Sequence, residues 1–139
     1  MIVLDTDVLS AVMKPELEPQ VAIWLGGQST TDILITTPTI CEILYGLEML
    51  PQGKRRRALT DAFEKVFAGP LHRRALLLDE NAARVTGHVM ATHKKNGIEP
   101  SEIDCQIAGI ALSHGAAVAT RNTKHFKGLK LALINPWEC

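Results

Sequence analysis

Oxygen-bearing side chains recur in this sequence where short apolar runs give way to polar turns. Ile2-Val3-Leu4 ends in Asp5, Thr6 and Asp7, and Ile33-Leu34-Ile35 is followed by Glu42 at the start of the next segment. Asp104 heads a late helical segment, and Thr120-Arg121-Asn122 closes another apolar run. An uninterrupted run of Ile, Val and Leu suits a strand buried on both faces, as in a parallel sheet covered by helices. In such sheets ligands collect outside the carboxyl ends of the strands, where Asp5 is expected. Several carboxylates at one edge repel one another and raise one another's pKa unless a cation lies among them. Mg²⁺ suits such a set, because it is hard, keeps several waters and needs only one or two protein carboxylates. The positions left open can take a phosphate oxygen and an attacking water, the arrangement of phosphodiester hydrolysis.

Each acid also has a purely local use. Thr39-x-x-Glu42 and Ser101-x-x-Asp104 fit or nearly fit the capping box, in which the third residue's side chain satisfies a backbone N–H. Asp7 is assigned the N-cap of the helix that follows it, since Asp is a strong capping residue. Asp5 resists that treatment, because a carboxylate ending a buried strand costs desolvation unless something pairs with it. The joint occurrence of these groups at one edge favours a metal site.

Positioning them requires strands to alternate with helices. Residues 8–13 read as a short helix ending before Lys14-Pro15, since the residue before a proline is pushed out of the helical region. A second helix is expected from Pro19, burying Val21, Ile23, Trp24 and Leu25 and stopping at Gly26-Gly27. Strand 33–35 turns through 36–39 into a helix that carries Glu42, Leu44, Leu47 and Leu50, and Pro51-Gln52-Gly53 breaks it. Leu59, Phe63, Val66 and Phe67 then mark one apolar helix face, which makes a helical hairpin at about 38–68. Residues 75–78 read as a third strand, followed by a helix with Asp79 as N-cap and His93-Lys94-Lys95 at its end. A last helix from Ser101 buries Ile103, Ile107, Ile110 and Ala111 and stops at His114-Gly115; 116–120 and 131–134 are the final strands. This order predicts a three-layer α/β/α sandwich around a mainly parallel sheet of about five strands, as one domain over 1–139.

Lys plus Arg, at 15, equals Asp plus Glu, at 15, so no global field draws in nucleic acid or an anionic membrane, and any such partner must be held by a local patch. Three cysteines, Cys41, Cys105 and Cys139, stand far apart with no C-x-x-C pair, which argues against a disulfide framework or a structural zinc site. No basic n-region opens the chain, and no stretch approaches the ~18 apolar residues of a membrane span. A cytoplasmic protein without membrane contact is expected.

Leu4-Asp5-Thr6-Asp7-Val8-Leu9-Ser10, Glu42-Ile43-Leu44-Tyr45-Gly46, Ile103-Asp104-Cys105-Gln106-Ile107-Ala108, Ala119-Thr120-Arg121-Asn122-Thr123-Lys124-His125-Phe126 and the closing Ile134-Asn135-Pro136-Trp137 form a further pattern. In order and spacing, over 1–137, they resemble the PIN-domain nucleases, and among these the toxins of VapC and FitB type. The resemblance implies a divalent-metal endoribonuclease that is the toxin of a toxin–antitoxin pair. Its implied partners are a cognate antitoxin, a second copy in a homodimer within a larger complex, and an RNA, with tRNA the family-level expectation. By position Asp5, Glu42 and Asp104 match the family's first three acidic residues, while Asp7 stands where Asn is frequent. Asn122 occupies the place of a fourth Asp, and an amide accepts hydrogen bonds there but brings no charge. Mg²⁺ or Mn²⁺ is therefore expected on Asp5 and Asp104, with Glu42 binding or helping to deprotonate metal-linked water. Asn122, Thr120 and Thr6 are expected to orient water or phosphate.

Lys54-Arg55-Arg56-Arg57 is the densest basic run and reads first as a solvated helix start, since no aromatic residue is interleaved to stack bases. It sits badly on a helix N-terminal dipole, which points to a compensating anion from outside. The five histidines show no H-E-x-x-H or i, i+4 pairing, and His125, in the turn beside Asn122, reads first as a surface residue, with contact to substrate as its alternative. Trp24 and Trp137 read as core or dimer anchors, and the hairpin offers a groove for an antitoxin helix. Two rivals stand beside the nuclease. One is a family member that only binds antitoxin or nucleic acid, to which Asn122 lends weight. The other is a haloacid-dehalogenase-like phosphatase, which Asp5-x-Asp7 also resembles, although the late acidic pair of that group is missing.

Overall fold

The structure, a computed structural model, describes residues 1–99 and 101–139. The leading apolar run forms β1 (Ile2–Leu4), the central strand of a five-stranded sheet. β2 (Ile33–Thr36) and β3 (Ala75–Leu76) lie on one side of it, and β4 (Ala117–Ala119) and β5 (Leu133–Ile134) on the other. All four pairings are parallel. The third and fifth strands are shorter than the apolar runs suggest, because only residues that reach a neighbour's ladder are paired. The chain lays down β1, β2 and β3 in one direction and then crosses over to place β4 against the free side of β1. That reversal opens a crevice at the carboxyl ends of β1 and β4, the usual ligand position in open parallel sheets.

Period-two alternation divides the strands between two cores. Leu4, Ile33 and Ile35 point into the core under α1 (Thr6–Met13), α2 (Pro19–Gly26), α3 (Thr37–Met49) and α4 (Lys54–Ala68). Val3, Leu34 and Val118 point into the other, under α5 (Glu80–Lys95) and α6 (Glu102–His114). Each such side chain removed from water stabilises the fold by roughly 1.5–3 kcal/mol, which makes the alternation decide the register. The result is the three-layer sandwich expected from the sequence. Among the described residues no helix is long and apolar enough to cross a membrane.

Local signals succeeded where a cap fixes the helix end. Asp79 Oδ1 accepts the Ala82 N–H, Ser101 Oγ accepts the Asp104 N–H, and Gly115 takes the left-handed conformation, φ 63°, that ends α6. Three expectations need correction. Ile23 is 77% exposed, because α2 buries the stripe of Val21 and Trp24, and one residue's 100° step turns Ile23 away from Trp24. The Thr39-Glu42 capping box does not form, since Thr36 is the N-cap and its Oγ1 accepts the Thr39 N–H. Glu42 is thereby released from capping. For one member of the basic run the anion is internal: Arg56 pairs with Glu48 of α3 at 2.9 Å and also donates to the Leu50 carbonyl.

α5 and α6 pack at unusually close range. A Cβ on Gly109 would stand 2.0 Å from Thr86 Oγ1, 2.9 Å from the Thr86 backbone nitrogen and 3.0 Å from the Ala82 carbonyl oxygen. Thr86 turns its hydroxyl back onto the Ala82 carbonyl at 2.8 Å, so its polar group is satisfied inside the contact.

Candidate functional site

Register brings the first two parts of the site together. Leu4 pairs with Ala119, so Asp5 and Thr120 leave the sheet side by side, and the Asp5 N–H donates to the Ala119 carbonyl at 3.0 Å. Asp5 keeps extended geometry, φ −74° and ψ 174°, and its Oδ1 accepts the Val8 N–H at 2.9 Å. Asp5 is therefore the N-cap of α1, which corrects the assignment of that role to Asp7. The chain bends into the helix two residues earlier than the sequence suggested, and Asp7 falls within the first turn with its carboxylate not used in capping.

The loop after β4 ties both acids down. Thr120 is fully buried and its hydroxyl bonds to the Asp5 carboxylate. The Thr120 oxygen also accepts the Asn122 N–H at 3.0 Å, which leaves its own proton available to the Asp5 carboxylate. Asn122 Nδ2 donates to Asp7 Oδ2 at 2.7 Å, leaving its Oδ1 as the unused acceptor. A polar strap from one strand thus holds the two carboxylates presented by the next.

Burial pushes the Asp5 carboxyl from 3.8 up to about 6. Hydrogen bonds from Thr120 and Val8 pull it back, and the charges of Asp7 and Asp104 raise it again. Asp104 comes from the first turn of α6, within Coulombic reach of Asp5. Its carboxylate does not complete a capping box but meets His125 Nδ1 at 3.0 Å. An ionised carboxylate only accepts, so Nδ1 carries the proton. Glu42, half-buried on α3, shares with Thr6 a groove of about 260 Å³ that continues past Leu47 and Leu59 to Lys14 and Arg55. The Thr6 hydroxyl is buried without a hydrogen-bond partner.

This donor set fits a hard dication. Its members are carboxylate, hydroxyl and amide oxygens; one carboxylate is desolvated and one hydroxyl is unsatisfied. Among the described residues no three His, Cys, Asp or Glu side chains converge closely enough to cage an ion by themselves. Mg²⁺ needs only one or two of them and completes its shell with water. Removing the strap's donor tests the electrostatics: in a Thr120→Val protein the Asp5 carboxyl titrates higher than in the parent, followed by carboxyl-carbon NMR. Stability falls by about 1–3 kcal/mol as the Asn122 N–H loses its acceptor.

A family model described as PIN domain matches residues 2–130. The chain belongs to the PIN-domain family. It is 37% identical over 138 residues to "VapC ribonuclease Y4jK" of Sinorhizobium fredii, with 99% of each chain covered. It is 33% identical over 141 residues to "Toxin FitB" of Neisseria gonorrhoeae, again with 99% of each covered. The crystal structure of FitAcB from Neisseria gonorrhoeae superposes with a TM-score of 0.89 at 31% identity, covering 100% of both chains. The chain is thus a PIN domain of the VapC and FitB type, and not of the phosphatase class that Asp5-x-Asp7 also resembles.

In this PIN domain the structure brings together Asp5, Asp104, Thr120 and Asn122, and sets Glu42 and Thr6 on one adjoining groove. Sequence reasoning missed two participants. Asp7, read as a cap, acts on Asp5 through its charge and on Asn122 through a hydrogen bond. The signal was present in the three-residue step from Asp5 to Val8, which makes Asp5 the cap. His125, read as a surface residue, grips Asp104 across 21 positions, and no local pattern announces that contact.

Proposed function

We propose that this PIN domain is the toxin of a toxin–antitoxin pair and cuts RNA as a metal-dependent endoribonuclease. The observation that carries the proposal is the desolvated Asp5 carboxylate, with Asp7 and Asp104 bearing on it at the crevice between β1 and β4. Groups arranged so that their own charges raise a carboxyl's pKa are suited to receive a cation and the phosphate it binds. The names of the relatives, a ribonuclease and a toxin, agree with that chemistry.

Asp5 and Asp104 are the residues that would hold Mg²⁺ or Mn²⁺. When bound, the ion supplies a Lewis acid and makes water acidic enough to attack near neutral pH. Glu42, which lines one groove with Thr6, would accept a proton from the attacking water, and the unpartnered Thr6 hydroxyl would orient that water or a phosphate oxygen. Asn122 offers its Oδ1 to the same end, while Thr120 keeps the Asp5 carboxylate from rotating. The antitoxin and a second copy of the chain are the further partners in this proposal. Exposed Leu44, Tyr45 and Met49 on α3 supply an apolar face for one of them. We place the protein in the cytoplasm, as a single domain with RNA, tRNA included, as substrate class.

Asn122 is the one feature favouring a module that only binds, and its bond to Asp7 weighs against that, since it brings a carboxylate beside the uncharged amide. The deciding experiment is end-mapped digestion of total RNA with Mg²⁺, with chelator, and with the Asp104→Asn protein. Cleavage is expected with Mg²⁺ alone, falling more than about a hundredfold in the variant while its melting temperature holds. Equal cutting by parent and variant would remove Asp104 from the mechanism.

His125 is expected to act by positioning Asp104. His125→Leu should raise the Mg²⁺ concentration for half-maximal rate by about tenfold, the usual cost of losing a ligand's supporting hydrogen bond. His125→Asn, which keeps a donor near the Nδ1 position, should recover most of it.

A further inference from the structure

Beside the strap that holds Asp5 and Asp7, the structure has a polar hollow of about 450 Å³, lined by Arg121, Thr123, Lys124, Asn135, Trp137 and Glu138. Arg121 lies between Thr120 and Asn122, the two residues that hold the acids. Its guanidinium carbon rests 4.8 Å from the centroid of the Trp137 ring. Trp137 is itself anchored: its indole N–H donates to Glu18 Oε2 at 2.9 Å, and its backbone N–H donates to Asn135 Oδ1 at 3.0 Å. The Asn135 amide nitrogen is the part of that side chain left for a ligand.

We propose that this hollow is the subsite for the nucleotide next to the scissile phosphodiester, with the Arg121 guanidinium, backed by the Trp137 ring, stacking its base and Lys124 meeting its phosphate. The inference rests on the nuclease assignment for the identity of the neighbouring site. Single-stranded RNA is held by planar groups that stack unpaired bases, aromatic rings and guanidinium planes alike, beside cations that follow the backbone. The chain has only 4% aromatic residues, and one of its two tryptophans stands here, pinned at both its ring and its backbone. The pairing matters more than the charge. An acidic peptide would need cations alone, whereas Glu138 in the same hollow opposes a run of carboxylates and suits the donor edge of a base.

The test uses the full-length Asp104→Asn protein, which does not consume its ligand, and a fluorescent single-stranded RNA read by anisotropy over a salt series. Arg121→Ala is expected to weaken binding at least about tenfold and to lower the salt slope by about one. Arg121→Lys should keep the slope and lose affinity, because an ammonium does not stack. Trp137→Leu should weaken binding of the RNA but not of the same backbone carrying abasic sites, while Trp137→Phe should bind like the parent. With Asp104 intact, Arg121→Ala should raise KM for RNA.

Affinity within twofold of the parent in both Arg121→Ala and Trp137→Leu overturns the subsite. So does equal loss on normal and abasic RNA in Trp137→Leu, which would mark a structural effect. Loss of an acidic peptide's binding with RNA binding unchanged overturns it in favour of a peptide site. Failure of the nuclease assignment appears separately, as absence of Asp104-dependent cleavage, since the binding series needs no turnover.

Discussion

Asp5→Asn is expected to lose RNA cleavage by more than about a hundredfold and, without metal, to melt higher than the parent at pH 7. Both effects follow from one buried carboxylate. The folded protein raises the Asp5 pKa from 3.8 to about 6, so the native state binds the proton more tightly than the unfolded chain. For an acid shifted upward the sign is a penalty: it is absent below about pH 4, grows as pH rises to about 6, and is complete above that. The rise corresponds to roughly 3 kcal/mol at most. Asn removes the charge yet retains an Oδ1 that can accept the Val8 N–H, and it caps helices as well as Asp does. Thermal melts over pH 4–8 with chelator should therefore show the two proteins converging in acid and separating near neutrality. Adding Mg²⁺ should raise the parent's melting temperature and leave the variant's unchanged, since only the parent gains a bound ion. A variant less stable than the parent at pH 7, with chelator present, would refute the desolvation account. Undiminished cleavage would refute the catalytic one.

The second large effect is expected far from any charge. Gly109→Ala introduces a single methyl group where α6 meets α5. The new carbon would stand 2.0 Å from the Thr86 hydroxyl, 2.9 Å from its backbone nitrogen and 3.0 Å from the Ala82 carbonyl oxygen. A side chain can rotate away, but the two backbone atoms cannot, so the helices must separate. Overpacking of this kind costs about 3 kcal/mol or more, which lowers Tm by roughly 6–12 °C in a chain of this size. Thr86→Ala combined with Gly109→Ala relieves the first contact and leaves the others, so partial recovery is the expected result. Asp104 lies five residues before Gly109, about 7.5 Å along the same helix axis. Cleavage per folded molecule should therefore fall as well. A Gly109→Ala protein that melts with the parent would show that the helices can part without cost.

What could be read in the sequence was what is decided within one turn of chain. Asp79, Ser101 and Gly115 announce their helix ends because a cap and its partner lie a few residues apart. The strand runs of Ile, Val and Leu were equally plain, since burial on both faces leaves no polar interruption. Asp5 and Asp104 stood out as acids in the wrong place for ordinary solvation, and the structure sets them within electrostatic reach. The errors share a different cause. Choosing between Asp5 and Asp7 as cap depends on how sharply the strand bends, and Ile23 depends on which face of α2 meets the core. The Thr120 bond to Asp5, the Asn122 bond to Asp7 and the His125 bond to Asp104 each cross many residues, so they follow from strand order and not from spacing.

The position of β1 has a consequence for synthesis. During translation the amino-terminal strand emerges first, yet one of its two hydrogen-bonding flanks stays vacant until residues 117–119 leave the ribosome. Thr120, Asn122 and His125 arrive later still, and Trp137, which meets Glu18, after them. A nascent or prematurely released chain therefore carries Asp5, Glu42 and Asp104 without the groups that hold them in place. The surroundings of Asp5 and Asp104 are therefore assembled only after residue 125 has been made.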